Sequence, residues 1–263
     1  MQWTTRGALV LLILPIIGCL VQRRTIHAFG EDRTLLLTAH PDDETFFFGP
    51  TLTAFNSGQG SDLFVVSLST GNAKGLGDVR REEFGRALDV FGVQKERRFI
   101  LDHPCLQDNK TSAWDPAVIA NELYALAVEH DISTILTFDS HGITGHPNHQ
   151  SALAGAIQLV FDDSLHIRPR LFALHSQSAG TKHVGPLATL FPPSSHAPDG
   201  SSRVYFSASL VNYVTTLRAM LKHPSQLRLF PFLKGLLSRY LWVNEWVEVT
   251  AHPDAPDLPL RNV

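Results

Sequence analysis

Hydrophobic positions in this chain fall into short continuous runs separated by longer amphipathic stretches. The runs Arg33 to Ala39, Leu63 to Leu68, Phe99 to Leu101, Thr134 to Phe138 and Arg170 to His175 have the length and apolar continuity of buried strands. Between them, Thr45 to Ser57, Asp78 to Gly92, Pro116 to Glu129 and Ala152 to Phe161 carry apolar residues at helical spacing. Asp115-Pro116 supplies an N-cap and a first-turn proline for the third of these helices. Strands alternating with helices predict an α/β fold, a Rossmann-like parallel sheet with helices on both faces. Beyond it, Gly180 to Arg203 is rich in Pro, Ser, Gly and His without periodicity and is expected to be a long loop. Leu210 to Lys222 is helical in pattern, and Pro224 prevents that helix from running on. Between Arg228 and Trp242, basic residues sit beside aromatics, which suits either a membrane surface or a core helix with a solvated face.

The N-terminus stands apart. Gly7 to Val21 is apolar, flanked by Arg6 and by Arg23-Arg24. A spanning helix usually wants about 20 apolar residues, so a membrane anchor and a cleaved secretory signal compete for this stretch. The following arginines and the lack of a clean small-x-small site favour an anchor with the bulk of the chain in the cytosol. Asn109-Lys110-Thr111 is a formal glycosylation sequon that would be used only in a lumenal domain. The expected division is therefore residues 1–30 as anchor and flank, 31–250 as one catalytic domain, and 251–263 as a tail with three prolines.

Composition narrows the chemistry. A formal charge of −3 over 263 residues gives no electrostatic case for nucleic acid. The two cysteines, Cys19 and Cys105, can build neither a disulfide framework nor a cysteine metal site. Any metal must rest on His with Asp or Glu. His40-Pro41-Asp42-Asp43-Glu44 follows the first strand directly, and carboxylates packed so closely call for a cation or a proton. Taken alone, this segment reads equally as a solvated acidic turn. Gly145-His146-Pro147-Asn148-His149, after the fourth strand, tips the balance, since the C-terminal ends of parallel strands face one crevice. A hydrolytic zinc keeps three protein ligands and an open position, a quota that His40, Asp43 and His149 can fill. Asp42 is then free to act as general base, and His146, if protonated, to stabilise an oxyanion and pass a proton to a leaving amine. Glu44 is expected to orient a ligand or to cap the following helix.

These paired motifs resemble the signature of the PIG-L/LmbE-like zinc de-N-acetylases. The resemblance runs from about Leu35 to Leu241. Ser69 to Asn72, Arg80 to Glu83, Thr137 to Asp139 and His223 to Gln226 resemble the eukaryotic branch, the N-acetylglucosaminyl-phosphatidylinositol de-N-acetylases of GPI-anchor synthesis. The resemblance implies zinc on His40, Asp43 and His149, Asp42 as base, His146 as the oxyanion-stabilising histidine and Arg80 on the phosphoinositol or sugar side of the substrate. It also implies a glycolipid substrate, a membrane partner and a single-pass anchor in the endoplasmic reticulum with the catalytic domain in the cytosol. The alternatives are a de-N-acetylase of a soluble N-acetyl-sugar and a non-catalytic membrane subunit that keeps the fold.

Overall fold

The computed structural model describes residues 32–57, 62–109, 111–162, 166–190, 202–227 and 236–250. Among them the first strands form where the apolar runs predict. They are β1 (Thr34–Thr38), β2 (Leu63–Ser67), β3 (Arg98–Ile100), β4 (Thr134–Phe138) and β5 (Arg170–Leu174). The helices are α1 (Asp43–Phe47), α2 (Gly49–Ser57), α3 (Gly77–Val90), α4 (Pro116–Glu129), α5 (Pro147–Val160) and α6 (Leu210–Met220), with a short helical turn at Gly142–Gly145. The single helix expected after the first motif is therefore two, meeting at Phe48. Asp115 caps α4 as its sequence predicts, its carboxylate accepting from the Ala117 amide at 2.9 Å.

Two further strands, β6 (Arg203–Ser207) and β7 (Val243–Glu248), complete a seven-stranded sheet of order β3-β2-β1-β4-β5-β7-β6. The expectation of a parallel sheet is corrected here. β1 to β5 are mutually parallel, but β7 runs antiparallel to both β5 and β6. Once the regular strand-helix alternation ends, a strand can reach the free edge of β5 in either direction, and an antiparallel pair needs no crossover helix. β7 is anchored from the side as well: Trp246 Nε1 donates to Thr51 Oγ1 (3.0 Å), which donates to Asn244 Oδ1 (2.7 Å), joining the strand to α2.

Every residue of β1, β2 and β4 is buried, and because successive side chains point to opposite faces, the sheet is covered on both. α4 packs on α5, and α2 and α3 pack on α6. The strand order reverses between β1 and β4, so the C-terminal ends of these two strands border the crevice where open α/β sheets bind ligands.

The membrane expectations are also corrected. Among the described residues no helix is long and apolar enough to cross a membrane. The run 7–21, on which the N-terminal membrane segment rested, lies outside the described residues, as do the tail 251–263 and residues 228–235. The structure thus gives no support to a membrane partner or to placement in the endoplasmic reticulum, and both are withdrawn.

Candidate metal centre

Both motifs sit at that reversal point. After β1 the chain turns through His40 and Pro41, and Asp43 and Glu44 open α1. After β4 it passes through the turn Gly142–Gly145, then His146 caps α5, its Nδ1 accepting from the Asn148 amide at 3.3 Å. Pro147 fills the first helical position, and His149 projects from the first turn.

His40, Asp43 and His149 are all buried, and each offers a donor atom within 4.8 Å of the others. The ligand-forming atoms are distinguished by the bonds their neighbours make. Asp43 Oδ2 accepts from the amides of Ala39 (3.1 Å) and His40 (2.8 Å), which leaves Oδ1 to face His149 Nε2 at 3.2 Å. The other nitrogen of His149, Nδ1, lies 2.9 Å from the Gly142 carbonyl, which holds the ring with Nε2 turned toward Asp43. Its ring stacks on Phe138 at 4.0 Å and 4°. Two imidazoles and one carboxylate, with their outer atoms already satisfied, fit a divalent cation that keeps an open position.

Electrostatics support that fit. Burial opposes the charge on Asp43, but His149 and His40 outweigh it and hold the carboxyl well below its usual range. Burial lowers the pKa of His40, but hydrogen bonds and charges of Asp108 and Asp43 outweigh it and raise the group to about 9.

Asp42 stands between the two motif ligands at φ 123°, a conformation that side chains rarely adopt. Burial and the charge of Asp43 raise its pKa to about 7, against the lowering effect of Arg80, His223 and His40. Arg80 reaches it from α3. The guanidinium donates to the carbonyls of Pro41 (2.7 Å) and Gly71 (2.8 Å) and pairs with Asp42 Oδ1 (3.3 Å) and Asp108 Oδ2 (3.5 Å). A cavity of about 200 Å³ runs beside it, lined among others by Asp42, Lys74, Arg80, Asp108 and Gln226. Burial, followed by the charges of His40 and His149, lowers the pKa of His146 to about 4. Its imidazole is therefore neutral at pH 7, in contrast to the protonated form considered from sequence. With Nδ1 accepting, the proton resides on Nε2.

Asp108 and Ser176 were missed from sequence, and Asn148 was quoted there only as a member of the second motif. Asp108, in the loop after β3, lies 3.4 Å from His40 Nε2 and forms a second cluster with His40 and His146. Its only signal was its place past a strand end at the same sheet edge. Asn148, fully buried, satisfies all its neighbours when its amide oxygen accepts from His40 Nε2 (3.1 Å) and its nitrogen donates to the carbonyls of Asn109 (3.1 Å) and Ser112 (3.0 Å). Ser176, which belongs to neither motif, holds Asp139: its amide and hydroxyl each donate to that carboxylate at 2.6 Å, and its oxygen receives the Ile143 amide at 2.9 Å. Glu44 touches no ligand. One oxygen accepts from the Asp42 amide (2.9 Å), the capping role considered from sequence, and the other meets His223 (2.5 Å).

Comparison with known proteins agrees with this site. The family described as PIG-L, GlcNAc-PI de-N-acetylase, matches residues 35–160, which include both motifs. The Bos taurus N-acetylglucosaminyl-phosphatidylinositol de-N-acetylase is 32% identical over 215 residues, covering 82% of this chain and 83% of the relative. A Schizosaccharomyces pombe protein named "Probable N-acetylglucosaminyl-phosphatidylinositol de-N-acetylase" is 35% identical over 156 residues, which span 59% of this chain and 62% of that protein. In fold, the chain resembles the N,N'-diacetylchitobiose deacetylase of Pyrococcus horikoshii, with a TM-score of 0.60, 15% identity and coverage of 85% and 86%. Sequence, fold and the His/Asp cluster agree: this chain belongs to the PIG-L/LmbE-like deacetylase family and is a metal-dependent N-deacetylase acting on an N-acetyl-sugar.

Proposed function

We propose that the substrate is N-acetylglucosaminyl-phosphatidylinositol and that zinc, on His40, Asp43 and His149, serves its hydrolysis to the free amine and acetate. The observation that carries the mechanistic part is the juxtaposition of the three-donor cluster with Asp42, whose pKa near 7 suits a general base at neutral pH. The substrate part is supported by the names that the Bos taurus and Schizosaccharomyces pombe relatives carry and by the family match over residues 35–160, which include both motifs.

When bound, a divalent cation would polarise the acetamide carbonyl and make water acidic enough to attack at neutral pH. Asp42 takes the proton from the attacking water as its oxygen bonds to the acetyl carbon. His146, neutral and with its proton on Nε2, donates a hydrogen bond to the developing oxyanion without losing that proton. As the tetrahedral intermediate collapses, the C–N bond breaks and Asp42 returns its proton to the departing nitrogen, giving amine and acetate. Arg80 steadies the Asp42 carboxylate, and its flank on the cavity gives the phosphoinositol side a cation to approach.

The experiment is acetate release from the glycolipid and from soluble N-acetylglucosamine, with and without chelator, for the wild type and Asp42→Asn. Turnover of the glycolipid that vanishes on chelation and falls by about 10²- to 10⁴-fold in Asp42→Asn is expected. Retained turnover in Asp42→Asn overturns the assignment of the base. Preference for the soluble sugar would instead favour the second reading, a soluble N-acetyl-sugar deacetylase, which the fold likeness to a diacetylchitobiose deacetylase keeps in view.

A further inference from the structure

Four residues from the far end of the chain, His223 to Gln226, close on the surroundings of Asp42 from two sides. His223 and Glu44 are both fully buried, with Nε2 of one 2.5 Å from Oε1 of the other. Glu44 uses its second oxygen to hold the Asp42 amide at 2.9 Å. Two residues on, the Ser225 amide donates to Glu83 Oε1 (2.9 Å), while the Ser225 hydroxyl and Gln226 Nε2 both donate to Glu83 Oε2 (2.6 Å each). Glu83 lies three residues after Arg80 on α3, so the two share a helix face, and Arg80 grips the Pro41 carbonyl and the Asp42 carboxylate. The turn thus braces the segment 41–44 through Glu44 and the helix that carries Arg80 through Glu83. Ser225 and Gln226 also line the cavity shared by Asp42 and Arg80.

Stability alone explains this arrangement poorly. A buried ion pair is often no better than a well-packed apolar pair of the same volume, and here the pair is spent on the backbone of one residue. That residue is a non-glycine at φ 123°, a backbone geometry that persists only where its surroundings over-determine it. We propose that the His223–Gln226 turn is a positioning element for Asp42, with His223 acting through Glu44 on the Asp42 amide and Ser225 acting through Glu83 on the helix that presents Arg80. This rests on the reading of Asp42 as the base. None of these residues touches a candidate metal ligand through the contacts described, so metal affinity and the chemical step should separate.

The test uses the metal-loaded full chain, comparing His223→Leu, His223→Gln, Ser225→Ala and Asp42→Asn for kcat and KM in the acetate-release assay. Metal affinity is read by chelator competition and folding by circular dichroism. His223→Leu is expected to lose about 10- to 100-fold in kcat, with KM and metal affinity within about twofold of the wild type. His223→Gln, whose amide still donates to Glu44, is expected to recover most of that loss. Wild-type kcat in a folded His223→Leu protein overturns the proposal, as does a loss of metal affinity that matches the loss of kcat. Should His223→Leu fail to fold, Ser225→Ala carries the test: it is expected to lower kcat at least about threefold, and an unchanged kcat overturns the proposal. An active Asp42→Asn sinks the reading of the base and this inference with it, whereas an inactive Asp42→Asn beside an unimpaired His223→Leu sinks the positioning role alone.

Discussion

Asn148 is a single buried side chain whose hydrogen bonds tie a candidate ligand to a loop. Its oxygen orients His40, and its nitrogen holds the carbonyls of Asn109 and Ser112. Partners that orient a ligand are typically worth about 10- to 100-fold in metal affinity, so Asn148→Ala is expected to weaken binding by about that factor in a chelator titration. Asn148→Asp is expected to be no better, because a carboxylate cannot donate to the two carbonyls and leaves them unpaired. Wild-type affinity in the Asn148→Asp protein would show that the loop contact is dispensable. His223 invites a prediction about pH. Burial lowers its pKa, but the charge of Glu44 and their hydrogen bond outweigh that effect and raise it above the ordinary 6.5. A group whose pKa is raised on folding contributes stability that is fully present below about 6.5 and is lost as pH rises through the folded value. The stability advantage of the wild type over His223→Gln, measured by urea denaturation, is therefore expected to be largest below about pH 6.5 and to shrink above it. An advantage independent of pH would mean that the imidazole is not charged in the folded protein.

At the scale of elements, the site depends on how closely α5 lies against α4. Gly155 makes that approach possible: a Cβ there would lie 2.4 Å from the Cβ and Cγ2 of Ile119. Gly155→Ala must separate two packed helices, and overpacking of this kind costs about 1–3 kcal/mol. At about 2–4 °C per kcal/mol for a domain of this size, the melting temperature should fall measurably; an unchanged melting temperature would mean that the contact relaxes freely. Strands β1 to β5 were legible in the sequence because each is a short apolar run bounded by breakers, and the motifs were legible because metal chemistry demands unusual residues at fixed spacing. β6 and β7 were not. Val204 and Phe206 are hidden in a polar stretch, and the apolar run before β7 reads equally as a helix, so only pairing at the edge of β5 makes either a strand. Asp108 and Ser176 were illegible for a related reason: each is an ordinary loop residue whose partners lie 68 positions earlier at His40 and 37 positions earlier at Asp139. The splitting of the first motif helix at Phe48 has a local cause instead: Gly49-Pro50 follows, and Pro50 has no amide to bond the Phe46 carbonyl, so one helix cannot run through.

For the molecule as a whole, the question is whether the fold needs its cation. The core is built from β1, β2, β4 and the helices over them, and its largest buried side chains include Trp246, Tyr240, Phe91 and Phe206, none of which belongs to the donor cluster. Without a cation the donors still find partners: Asp43 keeps two backbone amides, and the raised pKa of His40 lets a proton offset the carboxylates of Asp43 and Asp108. Removing the metal should therefore abolish deacetylation while leaving the far-ultraviolet circular dichroism unchanged. The melting temperature should still drop, because a ligand that binds only the folded state stabilises it by mass action, about 2.7 kcal/mol at a concentration about 100 times its dissociation constant. The drop should grow with the logarithm of the metal concentration in the loaded reference and should be reversed by adding metal back. Loss of secondary structure on chelation would contradict this picture, since it would make the cation part of the fold, as in small metal-dependent domains that lack a core of their own. The edge position of the site points the other way: the sheet is complete before the ligands are reached, so the cation is added to a finished scaffold.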